Sequence, residues 1–336
     1  MSTVILLVAI GLAVVFDVTN GFHDSANSVA ALVATRAATP GQALVLATVG
    51  NFAGPLLMGT AVADTVGGVV TVAPNETLPA VGAALTAAIG WNLVTWWFGL
   101  PSSSSHALIG GLIGAAVAAG GFVGVRWGGI DHGKPDGVLG VLAGLAISPV
   151  LGVLAGALGM AVAGRALRRA RREFNSVVRR GEWLTASALA LSHGANDAQK
   201  TMGVITLLLL ATGHLSVFSV PIWVRLMAAA SLTVGTAFGG WRIVRTVGSG
   251  VYRIAPLDGL VSQGGSAAVI LAGAALGAPV STTHVVASSV VGVGIAQRAQ
   301  HVRWTVVREI GAAWMITLPI SALLGAAAFL LWREFI

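Results

Sequence analysis

Two aspartates stand inside long apolar stretches of this 336-residue chain: Asp24 in GFHDSAN (residues 21–27) and Asp197 in GANDAQK (residues 194–200). A carboxylate within a membrane span costs ~2.5–3.5 kcal/mol to insert, so it is kept where it pairs or binds a cation. One such aspartate reads equally well as the cap of a broken helix. Two in matching settings, each beside small residues and amides, point to cation handling. Asn20, Asn27, Asn196 and Gln199 supply neutral oxygens and N–H donors to complete the site. His23 and His193 adjoin the aspartates and suit contact with a proton or a divalent metal.

A second constellation is rich in hydroxyls. PSSSSH at 101–106 and PVSTTH at 279–284 each follow a proline and precede an apolar helix, as a helix start should. There Ser103, Ser104 and Ser105, with Ser281, Thr282 and Thr283, join exposed backbone N–H groups at a positive dipole end. That set can receive an oxyanion with many short-range donors and no fixed charge, which leaves release easy. Singly, each motif is an ordinary N-cap; their repetition favours anion binding. His106 and His284 either relay protons or bond a helix backbone. Lys200 stands where the first motif has Asn27. An ammonium there lies close to Asp197 and the anion and can stand in for a bound sodium, unless it snorkels to an interface.

The elements that must position these residues are membrane spans. Of the residues, 56% are hydrophobic and only 9% charged, too little polar surface to coat a soluble particle. Apolar stretches run at roughly 4–19, 42–72, 78–100, 102–121, 137–163, 184–212, 219–240, 254–277, 280–297 and 306–332, each near the ~20 residues of a spanning helix. Asn20 to Arg36 is short and carries charge at membrane depth, which suggests a re-entrant or unwound piece. The amino terminus reads as a retained first span. Cysteine is absent, excluding disulfides and thiolate metal sites. The formal charge of +7 does not signal nucleic acid, because seven arginines gather between Arg165 and Arg180, as in a cytoplasmic loop. Asp17 and Asp64 read as structural ion pairs, and Trp91, Trp96, Trp97, Trp127 and Trp332 as interfacial anchors.

The chain also matches itself. The aspartate motifs align, then GTA at 59–61 with 235–237, TVG at 65–67 with 246–248, and the proline–hydroxyl motifs, all in one order. A duplicated unit follows, with a first repeat at 1–163, a basic cytoplasmic linker at 164–183 and a second repeat at 184–336. Five spans in each half place both termini outside and invert the second repeat. The expected fold is therefore an all-α polytopic membrane protein, an inverted-repeat bundle of about ten spanning helices and two re-entrant segments. Inverted repeats with interrupted helices mark secondary transporters.

NGFHDSANSVA, SHGANDAQKTMG, LPSSSSH and PVSTTH closely resemble the inorganic phosphate transporter (PiT) family, in particular its bacterial low-affinity branch. The resemblance covers nearly the whole chain. It implies an inverted-repeat bundle with re-entrant hairpins, homodimerisation, and import of inorganic phosphate across the cell membrane with a coupling ion. It places that cation on Asp24, Asn27, Asn196 and Asp197, with His23 beside it, and phosphate on Ser104, Ser105, Thr282 and Thr283. Sodium-coupled members carry a GANDxAN-like motif in both halves; His23 and Lys200 depart from it. Resemblance to the bacterial branch implies proton coupling, favoured over sodium, with phosphate carried as a neutral divalent-metal complex, and no resident cofactor is expected. The alternatives are a permease for sulfate or another tetrahedral oxyanion and, more distantly, a membrane-embedded serine hydrolase using Ser105 and His106. The latter are adjacent on one helix and do not face each other.

Overall fold

The computed structural model describes residues 2–131, 134–169 and 174–334. His132 and part of the basic linker, including Arg171 and Arg172, lie outside the described residues. Among those described, α-helices carry the chain: α1 Ser2–Ala34, α2 Pro40–Leu57, α3 Ala61–Gly67, α4 Pro74–Phe98, α5 Ser104–Gly120 and α6 Gly137–Ala166. After the linker come α7 Phe174–Ala211, α8 Ile222–Phe238, α9 Trp241–Arg245, α10 Pro256–Leu276, α11 Thr282–Arg298 and α12 Trp304–Arg333. A short antiparallel ladder, β1 Gly129–Asp131 with β2 Lys134–Asp136, precedes α6. The outer surface is apolar: Leu57 is 71% exposed, Leu184 75%, Met315 78% and Leu323 72%. Apolar surface on this scale needs lipid to cover it.

The order repeats, α1 to α6 and then α7 to α12, and the halves interlock. Helix α1 packs on α8 and α7 on α2, while α6 packs on α11 and α12 on α5. Small residues allow the approach. Gly235 of α8 rests on the Val18 carbonyl of α1, and Gly54 of α2 on the Leu191 carbonyl of α7; a Cβ at either glycine would collide with that backbone. This packing corrects one sequence match. The counterpart of Gly235 is Gly54, whereas Gly59, which the GTA match pairs with it, faces open space. The TVG match keeps the same spacing as Gly54 and Gly235, so it holds.

Six helices are long and apolar enough to cross a membrane, or up to eight if each bent pair is one span. The re-entrant segments are not where the charges suggested. Helix α1 runs unbroken through His23 and Asp24, and α7 through Asp197. Side chains from other helices satisfy those carboxylates, so the backbone need not unwind around them. The bends lie elsewhere, 80° between α2 and α3 and 63° between α8 and α9. At the first the chain turns extended at Met58, and at the second Gly239 takes a left-handed φ of +67°.

The reversals that matter are the hairpins α4–α5 and α10–α11. Each first helix ends in a left-handed glycine, Gly99 or Gly277, and each second helix opens on a hydroxyl motif. From Ser102 to Ser105 and from Ser281 to Thr283 no residue is more than 2% exposed, so both hairpins turn inside the protein. Stretches that read as four separate spans are thus joined in pairs through buried tips, and α4, α5 and α10 are each long and apolar enough to cross a membrane. Trp91 also departs from expectation: it is 9% exposed and donates to Thr317 Oγ1 (3.0 Å) rather than anchoring at an interface. Trp97, at 62% exposed, fits the anchoring reading.

Candidate functional site

The two hairpin tips meet at the middle of α1 and α7. Ser281 Oγ donates to Ser103 Oγ at 2.9 Å. Each of these serines also caps its own helix, accepting from His106 N (3.2 Å) or His284 N (3.3 Å). Ser103 and Ser281 are therefore placed as caps that join the tips, not as free ligands for an anion. The neighbouring hydroxyls turn to the aspartates. Asp24 accepts from Ser104 Oγ on Oδ2 and from Thr283 Oγ1 on Oδ1, both at 2.9 Å. Asp197 Oδ2 accepts from Thr282 Oγ1 at 3.1 Å. Ser105 is buried beside them. The first N–H groups of a helix have no partner within it. Two helix starts, α5 and α11, thus bring unpaired donors and positive dipole ends to one place.

The helices α1 and α7 dress their aspartates alike. His23 donates from Nδ1 to Asp24 Oδ1 (2.9 Å), and in the second repeat Asn196 Nδ2 donates to Asp197 Oδ1 (2.9 Å) and to Val280 O (3.1 Å). The Nε2 of His23 lies 3.2 Å from Thr95 Oγ1 and 3.4 Å from Ser102 Oγ, and Ser102 donates to Thr95 (2.8 Å). The repeats then diverge. Asn27 Nδ2 donates to Thr283 Oγ1 (3.1 Å), leaving its carbonyl oxygen without a partner. Its counterpart Lys200, almost wholly buried, places Nζ directly on Asp197 Oδ1. The ammonium does not snorkel.

His193 approaches the same carboxylate from the preceding turn. Its Nδ1 lies 3.0 Å from Asn51 Oδ1, and the Asn51 amide is oriented by donation to Thr236 Oγ1 (2.8 Å). That contact requires the proton on Nδ1. The Nε2 then faces Asp197 Oδ2 at 3.0 Å. A nitrogen lone pair and a carboxylate oxygen set that close form a pair of ligand atoms that a cation could share. Ligand atoms of Asp24, His193 and Asp197 all lie within 4.8 Å of one another, a spacing that suits a metal ion.

Most sequence-derived candidates converge here: His23, Asp24, Asn27, Ser104, Ser105, Asn196, Asp197, Lys200, Thr282 and Thr283 are each no more than 3% exposed. Gln199 does not join them. It accepts from Val62 N (2.9 Å) and donates to Ala195 O (2.8 Å), capping the start of α3 across the bend. Thr95, Ser102 and Asn51 belong to the site's second layer. Asn51 and Thr95 carried a legible signal, a polar residue alone in an apolar span, but their partners come from distant helices. His106 does not make a nucleophile–base pair: its ring stacks on His284 at 4.6 Å, and His284 on Trp314 at 3.9 Å. The arrangement can hold an anion against two helix starts and a cation between two aspartates, closed off from solvent.

The family model described as "Phosphate transporter family" matches residues 20–325. A Rhizobium meliloti protein described as a "Probable low-affinity inorganic phosphate transporter" is 42% identical over 97% of this chain and 96% of its own length. A Bacillus subtilis protein with the same description is 39% identical over 97% and 96%. Among solved structures, one titled "The sodium-dependent phosphate transporter" shares the fold, with a TM-score of 0.87, 24% identity, and coverage of 99% of this chain and 100% of that one.

Proposed function

The chain belongs to the phosphate transporter family, and on that premise we propose that it imports inorganic phosphate across the cell membrane by symport, coupled to protons rather than sodium. The observation that carries the coupling is Lys200 on Asp197. A sodium ion held by Asp197 would need the carboxylate edge that the ammonium occupies. Lys200 is then a tethered cation, always present, which balances phosphate charge without being transported. Phosphate binds at the α5 and α11 starts, where unpaired N–H groups and the Ser104, Ser105, Thr282 and Thr283 hydroxyls surround it. Basic segments near 164–183 and 298–308 lie on the cytoplasmic side, with both termini outside.

The anion itself is tested by competition in proteoliposomes. Arsenate should suppress uptake of radiolabelled phosphate, while molybdate and sulfate should leave it intact. The reverse pattern would make the chain a sulfate-type permease. A second reading, phosphate carried as a divalent-metal complex, rests on the Asp24, His193 and Asp197 cluster. In that reading the metal is cargo. Uptake should then collapse in EDTA and return on adding magnesium.

A further inference from the structure

Proton symport needs a group that gains and loses a proton during the cycle, and the motif aspartates are poorly placed for it. Asp24 accepts three hydrogen bonds and Asp197 is held by Lys200, Asn196 and Thr282. Each carboxylate has a donor on both of its oxygens. A different buried carboxyl does not. Asp17 lies on α1 two turns before Asp24, ~10 Å along the helix, and is fully buried. Its sequence reading as an ion pair fails, because it makes no salt bridge among the described residues. Ser231 of α8 is its hydrogen-bond partner, 2.8 Å from Oδ2, while Oδ1 has none.

Counting protons decides the state of this pair. The Ser231 hydroxyl has one hydrogen and three acceptors in reach: Asp17 Oδ2, Met227 O at 2.9 Å and Ala228 O at 3.2 Å. If Asp17 is ionised, it takes that single hydrogen, and its other oxygen has no formed bond although the Thr201 hydroxyl lies near enough to act on it, a costly arrangement until that hydroxyl turns. If Asp17 is protonated, it donates to Ser231 Oγ and Ser231 donates to the Met227 carbonyl. Both hydrogens of the Asp17–Ser231 pair are then placed. The closed conformation therefore suits a neutral Asp17.

The surroundings can accept the other state after a rearrangement. Asn20, one turn along the same face of α1, is fully buried with both amide atoms unpaired, and Thr201 Oγ1 on α7 also lacks a partner. The charged groups acting on Asp17 from α7 are Asp197 and Lys200. On its own helix the nearest titratable groups are His23 and Asp24. Helix α2 has no titratable residue, Glu76 of α4 lies at that helix's far start, and Arg225 of α8 lies nearly two turns before Ser231. The pair also has no counterpart. By the Gly54–Gly235 register, the equivalent positions on the α7–α2 seam are Ala190 and Gly50, which touch without a polar contact.

We propose that Asp17 carries the symported proton, one per chain, across the α1–α8 seam between the two repeats. The proton enters from external water onto a carboxyl oxygen, stays there while the site is closed, and leaves to cytoplasmic water. A bound phosphate adds negative charge near Lys200 and so favours the proton on Asp17. The proton favours phosphate by the same factor, which is the linkage symport requires. This rests on the proton-coupled reading above.

The test uses the full chain in proteoliposomes. Asp17→Asn fixes the neutral hydrogen-bonding state, so phosphate exchange across a liposome without gradients should persist. Accumulation driven by a pH gradient should fall at least tenfold. Driven accumulation at the wild-type level would overturn the assignment. Should Asp17→Asn not reconstitute, Ser231→Ala decides. It removes the donor that the carboxyl is bonded to, so the pH midpoint of uptake should rise by about one unit; an unmoved midpoint overturns it. If the wild type itself follows sodium and ignores pH, the proton-coupled reading falls and this one with it. A proton-driven wild type beside a fully driven Asp17→Asn defeats this assignment alone.

Discussion

At the scale of residues, the repeat is nearly symmetric and its function lies in the asymmetries. Ser104 and Thr282 repeat each other, each reaching the aspartate of its own half. Thr283 breaks the pattern by bridging Asp24 and Asn27 across the halves. Each such hydroxyl can turn its hydrogen from the aspartate to a bound anion, so removing it costs the anion one donor, a loss of about 1.5–3 kcal/mol for a bond to a charged group. Thr283→Val and Ser104→Ala should each raise the half-saturation concentration for phosphate by about ten- to a hundredfold. Unchanged values in both would reduce these hydroxyls to packing around the aspartates. Lys200 is the sharper probe. Lys200→Asn restores the amide of the first repeat and leaves Asp197 without its ammonium. Uptake should become sodium-stimulated and lose its drive from a pH gradient; uptake that stays proton-driven and sodium-indifferent contradicts the tethered-cation role. Asp24, Asp197 and Lys200 were legible in sequence because charge in an apolar stretch is conspicuous. The partners of Asn51 and Gln199 were not, since a polar residue declares its partner only when the distant helix that supplies it is placed.

Among the elements, the sequence identified the helices well and their breaks poorly. Charge at Asp24 suggested an unwound chain, yet α1 is continuous, because side chains of α5 and α11 meet the carboxylate and the backbone keeps its own hydrogen bonds. The prolines and hydroxyls at 101–106 and 279–284 correctly marked helix starts. What they could not show was that the preceding turns are buried, since an apolar helix entering from one side looks like a full span. Close packing sets the other constraint. Gly235 leaves no room beside the Val18 carbonyl, and helices in lipid associate through such small-residue contacts. Gly235→Leu should therefore prevent recovery of folded, monodisperse protein in detergent. Gly59→Leu, at the position that sequence matching had paired with it, should be tolerated. Equal yields of the two variants would contradict the register derived from the packing.

For the whole molecule, two interlocked repeats enclose a site that is closed to solvent, with every converging side chain no more than 3% exposed. Such a site works only if the repeats move against each other, opening it first to one side and then to the other. The α1–α8, α2–α7, α6–α11 and α5–α12 seams all join opposite halves, and that motion must pass across them. Motif order and the arginine-rich linker made an inverted duplication an expectation readable from the sequence. The interlocking was not readable, because nothing in a linear repeat states whether its copies sit side by side or pack through one another. The central claim is that phosphate enters with a proton while Lys200 takes the place of sodium. Uptake of radiolabelled phosphate into proteoliposomes, with a pH gradient and a sodium gradient imposed separately, measures it directly. The account predicts accumulation under the pH gradient, acid outside, and none under sodium alone at equal pH. Accumulation that requires sodium and ignores the pH gradient would contradict it.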